Sequence, residues 1–290
     1  MGRGPRDVNI DVPVSNLVVG FEPQNTIVQD IYPIVNVQKQ SDVFYKWTKG
    51  DFFRLPETTI RAPRTKGRTV NYNVSSDTFY AHNYALVDEI DYETMVNADA
   101  PLQIREKAAR NLQNLLMLDY ENRVADQLRT GSNLGSNATV SSKWDSTASG
   151  TSDPFADIQT AKDSIRSTTG LEANTIIFGR EVYNALLRHA DILERIKYVQ
   201  RGVVTKDLLA ALFDVDKVLI GSAIKNTAEE GQADSFSSVW GKDTIIGHFT
   251  NGPDADGRNP SLGYSFRWTN PLFGTPMAVE SWEDPDHGNY

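Results

Sequence analysis

Between Pro101 and Gly131 the chain contains neither glycine nor proline. A stretch of this length is best satisfied as one long helix, since only there does every backbone group find a partner within its own segment. Asp99 and Ala100 lead into Pro101, an acidic cap candidate followed by a proline tolerated in the first turn, and Gly131 supplies the stop. At 1.5 Å per residue, a helix over residues 100–130 is about 45 Å long. Apolar or small residues recur four apart at Ile104, Ala108, Leu112, Leu116, Tyr120, Val124 and Leu128, with Leu115 and Ala125 widening the stripe. Four residues overshoot a turn by about 40°, so the stripe winds around the axis and meets different partners along its length. An ordinary amphipathic helix in one core is the plainer alternative; the unbroken length favours a spine.

The chain on either side of this helix is read from periodicity and charge. Residues 1–40 carry Pro5, Pro13, Pro23 and Pro33 among valines and isoleucines without helical period, which reads as an extended arm that needs a partner surface to be ordered. Val43, Tyr45 and Trp47, then Val70, Tyr72 and Val74, have the two-residue period of strands and suggest a hairpin within residues 41–84. The insert from Gly50 to Gly67 holds Pro56 and Pro63, so it is a long projecting tip rather than a tight turn. From Lys46 to Arg68 the chain holds Lys46, Lys49, Arg54, Arg61, Arg64, Lys66 and Arg68 against Asp51 and Glu57, most of this charge in the insert. No lysine or arginine follows from Thr69 to Ala100, where Asp77, Asp88, Glu89, Asp91, Glu93 and Asp99 lie. A basic tip followed by an acidic block can be a solvated face, a nucleic-acid contact or a clamp laid on a neighbouring copy. The net charge of −9 disfavours the second and the acidic block favours the third. The contact residues expected between subunits are the seven cations with Asp88, Glu89, Asp91 and Glu93.

Beyond a Gly-, Ser- and Asn-rich connection from Gly131 to Ser152, a second unit begins. Asp153-Pro154 caps a helix carrying Ile158, Ala161 and Ile165 that Gly170 can end, and Thr175–Gly179 is a short buried strand. Glu181–Ala190 and Lys206–Phe213, the latter capped by Thr205, are helical by period, while Lys217–Gly221 and Thr244–Phe249 read as strands. The expected class is α+β, with two units the favoured division of 290 residues.

Several chemistries find no support. The chain has no cysteine, which removes disulfides, thiolate metal sites and cysteine nucleophiles. His82, His189, His248 and His287 are scattered without metal-ligand spacing and read as structural or exposed. No nucleophile elbow, phosphate loop or dinucleotide fingerprint occurs, and Asp254-Ala255-Asp256-Gly257 lacks the remaining ligands of a calcium loop. Asn73-Val74-Ser75 and Asn137-Ala138-Thr139 match a glycosylation sequon without a secretory signal ahead of them. No run is long enough for a membrane span. No catalytic, cofactor-binding or metal residues are assigned, and no cofactor is expected.

Five motifs stand in a telling order: Asp153-Pro154-Phe155-Ala156-Asp157-Ile158, Asn174-Thr175-Ile176-Ile177-Phe178-Gly179, Asp216-Lys217-Val218-Leu219-Ile220-Gly221, Val239-Trp240-Gly241-Lys242 and Asn270-Pro271-Leu272-Phe273-Gly274. Together with an arm, a two-stranded loop and a long helix ahead of them, they resemble the major capsid proteins of tailed double-stranded DNA phages, the Hong Kong 97-type fold. The resemblance implies an N-terminal arm (1–40), an extended β-hairpin loop (41–84), a peripheral domain with the spine helix (85–152), a mixed α/β axial domain (153–260) and C-terminal strands returning to the peripheral domain (261–290). It also implies a non-enzymatic subunit that self-assembles into hexamers and pentamers of an icosahedral virion shell, made in the host cytoplasm and enclosing DNA without reading its sequence. A separate scaffold protein or none, a portal, and a shell with or without a decoration protein are the implied partners, with no membrane. A lysine cross-link known in some relatives matches no position here. An encapsulin-like nanocompartment shell and, further off, a soluble enzyme with a dispersed site stay open.

Overall fold

The computed structural model describes residues 9–10, 26–47, 50, 53–71, 73–90, 101–145, 152–196, 204–250, 252, 260–269 and 277–281. The spine is α1, Pro101–Arg129. Its buried positions are Ala109, Gln113, Met117, Glu121, Val124, Ala125 and Leu128. They keep the spacing of four but sit one residue beyond the apolar stripe for most of the helix, and the two meet at Val124, Leu128 and Ala125, the last expected to widen the stripe. Leu115, expected to widen the stripe, is more than half exposed. The offset has a simple cause: two of the buried positions are Gln113 and Glu121, which a search for apolar periodicity passes over.

The second unit follows its local signals closely. In α2, Pro154–Thr169, the Asp153 carboxylate accepts from the backbone N–H of Phe155 and Ala156, each at 3.1 Å, and Gly170 ends the helix at φ 74°. Strand β5, Thr175–Gly179, lies between β6, Lys217–Gly221, in parallel and β9, Thr244–Gly247, antiparallel. The run Glu181–Ala190 is not one helix. It forms α3, Arg180–Leu186, a turn closed by the His189 N–H on the Leu186 carbonyl, and α4, Ala190–Ile196. Helix α5, Lys206–Phe213, starts where the Thr205 hydroxyl accepts from Leu208 and ends at Asp214, φ 52°. There the Lys162 ammonium donates to the carbonyls of Phe213 and Asp214 at 2.8 and 2.7 Å, satisfying groups that a helix end leaves open.

Because side chains alternate across a strand, the three-stranded sheet is apolar on both faces. Ile177, Leu219 and Ile245 face α1 with Met117, Val124, Ala125 and Leu128, while Ile176, Phe178 and Val218 face Ile158 of α2, Leu186 of α3, Ile192 of α4 and Leu209 of α5. The spine and the mixed unit therefore share one sheet as their common wall.

The sequence preceding the hairpin is not a free arm where it is described. Val28 and Ile31, in and after a short 3-10 turn, are buried against α1, and β2, Ile34–Val37, pairs in parallel with β10, Ser265–Trp268. Farther out, β1, Asn9–Ile10, pairs antiparallel with β11, Glu280–Ser281. The long hairpin comprises β3, Ser41–Trp47, and β4, Val74–Tyr80, with Trp47 opposite Val74. The second strand thus begins where the period-two signal ends: Val70 carries no ladder pairing, and Tyr72 lies outside the described residues. The register is set downstream, because it puts Phe44 and Phe79 on one face, both against Phe266 of β10 with ring centroids at 5.7 and 4.3 Å. A smaller hairpin pairs β7, Ile224–Asn226, with β8, Phe236–Ser238. Among the described residues, no helix is long and apolar enough to cross a membrane.

One buried carboxylate ties these parts together. Glu121 of α1, fully buried, accepts from the indole N–H of Trp240 at 2.7 Å and from the backbone N–H of Ile27 at 3.1 Å. About two turns farther along α1, Arg129 donates to the Asp243 carboxylate at 2.5 Å and to the Val239 carbonyl at 3.1 Å. The Trp240 ring fits only because Gly221 lacks a side chain: a Cβ there would stand 2.1 Å from Trp240 Cγ. Burial pushes the Glu121 carboxyl above the usual carboxylate range, partly opposed by the donors on Trp240 and Ile27.

Gly221→Ala is expected to destabilise the protein by about 1–3 kcal/mol, the usual cost of overpacking, read as a lower denaturant midpoint; an unchanged midpoint would refute the fit described here. Glu121→Gln turns an N–H₂ toward one of the two donors and is expected to cost about 1–3 kcal/mol. An acid whose folded pKa is raised contributes stability that is complete below its unfolded pKa and fades as pH rises through the folded one. Wild type should therefore lose stability as pH rises from the ordinary carboxylate range through that raised value, and the Gln variant should lack this component in pH-resolved melts.

Candidate interaction surface

The hairpin raises residues 57–71 away from the two apolar cores, and every one of them is exposed, as are residues 82–89 beyond β4. Of the cations expected at this surface, Lys46 is held within the hairpin itself, its ammonium 2.5 Å from Asp77 on the facing strand. That bond, with the Thr78 N–H behind it, holds the Asp77 carboxyl below the usual carboxylate range. Arg68 reaches Glu57 at 3.5 Å, an exposed pair of little weight for stability. Arg54 is exposed. Arg61, Arg64 and Lys66 are exposed and form no ion pair among the described residues. Lys49, Asp91 and Glu93 lie outside the described residues. Asp88 and Glu89 are exposed and form no ion pair among the described residues.

Arg64 has φ 66°, in the left-handed region. It follows Pro63 in a turn closed by the Thr65 N–H on the Ala62 carbonyl at 3.2 Å, with the Thr65 hydroxyl on the same carbonyl at 2.8 Å. Proline then a residue at positive φ is the pattern of a type II turn. The turn presents Arg61 and Arg64 at the far end of the loop.

Charge is only half of this surface. Leu55 and Ile60 are 91% and 89% exposed, and Tyr45, Phe53, Val70, Tyr84, Leu86 and Val87 also stand largely in water. The charge pattern alone does not point to Leu55 and Ile60, which stand in the sequence as large side chains in a segment too short and too proline-interrupted to build a core. Phe53 touches the body of the protein over Gly170 at the end of α2, where an added Cβ would stand 2.5 Å from its ring.

The arrangement most like a catalytic constellation is Ser152 with His189 and Asp191. The serine hydroxyl is 3.0 Å from His189 Nε2, and the Asp191 carboxylate is 3.9 Å from Nδ1. Ser152 and His189 are both buried, so the contact pins the chain entering α2 to the start of α4 and presents no nucleophile to solvent. Among the described residues no three potential metal ligands converge. Residues 254–257, which resemble a calcium loop in part, and His287 lie outside the described residues.

A family model described as phage major capsid protein E matches residues 129–231, from the end of the spine helix through the β7–β8 connection. The major capsid protein of Burkholderia phage BcepMu is 29% identical over 282 residues, covering 95% of this chain and 89% of the relative. That of Pseudomonas phage JBD67 is 24% identical over 235 residues, covering 80% and 74%. The fold is shared with a phage-related protein of Bordetella bronchiseptica, at a TM-score of 0.71 and 23% identity over 97% of this chain and 90% of that one. By sequence along nearly its whole length, and with its fold shared by a phage-related protein, the chain is similar to the phage major capsid proteins, as the order of its motifs implied.

Proposed function

We propose that this chain is the structural subunit of a phage capsid, assembling with copies of itself into the virion shell. The observation that carries the reading is the extended loop: a long segment with exposed Leu55, Ile60, Arg61, Arg64 and Lys66, standing on a body whose own cores are complete without it. Apolar area left in water forgoes about 25 cal/mol per Å² of burial, so large exposed side chains collected on one projection favour a partner surface. Individual exposed charge pairs are worth at most about 1 kcal/mol, but a closed ring repeats each contact in every copy, and weak contacts then cooperate.

In finer terms, the loop of residues 41–84 is a clamp laid on a neighbouring copy, with its cations toward a carboxylate-bearing surface such as Asp88 and Glu89. Residues 85–152 form the peripheral part and residues 153–260 the axial part of each subunit, and the copies group as hexamers and pentamers around double-stranded DNA that is enclosed without sequence-specific contact. Assembly takes place in the host cytoplasm with a separate scaffold protein, a portal and a decoration protein as partners. The role is structural, without a catalytic step.

Purified or co-expressed protein is expected to give closed shells in electron micrographs, and a chain that stays monomeric under all conditions would overturn the reading. Replacing Arg61, Arg64 and Arg68 together by glutamate should leave the circular dichroism and melting of the subunit unchanged while reducing the yield of closed shells at least tenfold. Normal shells from that triple variant would remove the clamp from the mechanism.

A further inference from the structure

The segment after β4 offers something beyond charge. Tyr80, His82 and Tyr84 contact one another in succession, with ring centroids 4.8 and 6.4 Å apart, so alternate residues share a side as they do in extended chain. Ala81 is the last residue of this run tied by its backbone, its N–H on the Gln40 carbonyl at 2.8 Å. From His82 to Ile90 no backbone N–H or carbonyl has a hydrogen-bond partner among the described residues. The guanidinium of Arg123 lies 3.6 Å from the Tyr84 ring centre and holds the start of the segment to the spine helix. Here is a strip continuing from β4, anchored at Tyr84, whose backbone edge is unpaired among the described residues and which carries Leu86 and Val87 in water and Asp88 and Glu89 at its end. Such an edge is a template for another strand.

The tip carries the complement. Residues 66–71 are exposed, lie in no strand and likewise have no backbone hydrogen bond among the described residues, and they hold Lys66, Arg68 and Val70. One copy is poorly placed to join its own two segments. They leave opposite ends of β4, whose seven residues hold them apart by about 23 Å of paired strand at 3.3 Å per residue. We propose that residues 84–89 of one copy accept residues 66–71 of a second copy as an added strand, backbone on backbone, with the cations of the tip on Asp88 and Glu89. This rests on the shell reading above and names the surface that receives the loop. Backbone pairing supplies attachment and the opposed charges supply register, the division of labour found wherever an extended segment extends a sheet edge.

The cysteine-free chain makes the test direct. Thr69→Cys and Val87→Cys are prepared as single variants, mixed, assembled and oxidised. The expected result is a disulfide-linked dimer in the mixture and none from either variant alone. Leu86→Pro removes an N–H from a segment that has no bond to lose in the single copy, so the variant should fold and melt like wild type yet give neither the cross-link nor closed shells. Wild-type shells accompanied by normal Leu86→Pro shells and no cross-link would overturn this pairing and leave the shell reading intact. A wild-type chain that never assembles would overturn the shell reading and this inference with it.

Discussion

The two bonds accepted by Glu121 organise the molecule. A carboxylate inside a protein is costly unless its oxygens are satisfied, and here each oxygen takes one donor from a part of the chain remote in sequence: Ile27 from the stretch before the hairpin and Trp240 from the turn before β9. The spine helix cannot turn about its axis without leaving that group unpaired. Its orientation fixes which residues face the sheet and where Arg129 meets Asp243 and the Val239 carbonyl. Glycine at 221 leaves the space that the Trp240 ring needs, so a polar contact and a steric one reinforce each other at the same place.

From that joint the remaining architecture follows by sharing surfaces. The three-stranded sheet gives one face to α1 and the other to the helices of the second unit, so neither side has a core independent of β5. At the other end, Phe266 of β10 takes both Phe44 and Phe79, fixing the hairpin register on a strand that itself pairs with β2. The long loop is thereby rigid at its root and unsupported at its tip. That contrast is the structural basis of the proposed clamp: the root sets the direction of the loop, and the tip carries the exposed side chains.

The charge pattern gains a different meaning in this frame. Lys46 and Asp77, one from the basic stretch and one from the acidic, already meet across the hairpin, so part of the opposition seen along the chain is spent inside the subunit. Among the described residues, Arg61, Arg64 and Lys66, with Asp88 and Glu89, form no ion pair. They stand beside exposed leucine, isoleucine and valine, so the surface is mixed rather than purely charged, and exposed ion pairs alone are worth little.

Local chemistry determined much of this fold in advance. Asp153 and Gly170 bound α2, Thr205 opens α5, and Thr175–Gly179 and Lys217–Gly221 are strands as their β-branched and aliphatic runs indicate, because caps and periodicity act within a few residues and need no distant partner. The order of those motifs was enough to mark the resemblance to phage capsid proteins. What only the tertiary structure decided has long-range causes. The buried face of α1 lies one residue off the apolar stripe, and Glu121 on that face is held there by the distant Ile27 and Trp240. The second hairpin strand is Val74–Tyr80 instead of Val70–Val74 because Phe266, far along the chain, selects the register. The helix expected over Glu181–Ala190 divides at His189, whose ring is held by Ser152. In each case the deciding contact joins residues dozens of positions apart or more, a distance over which periodicity carries no information.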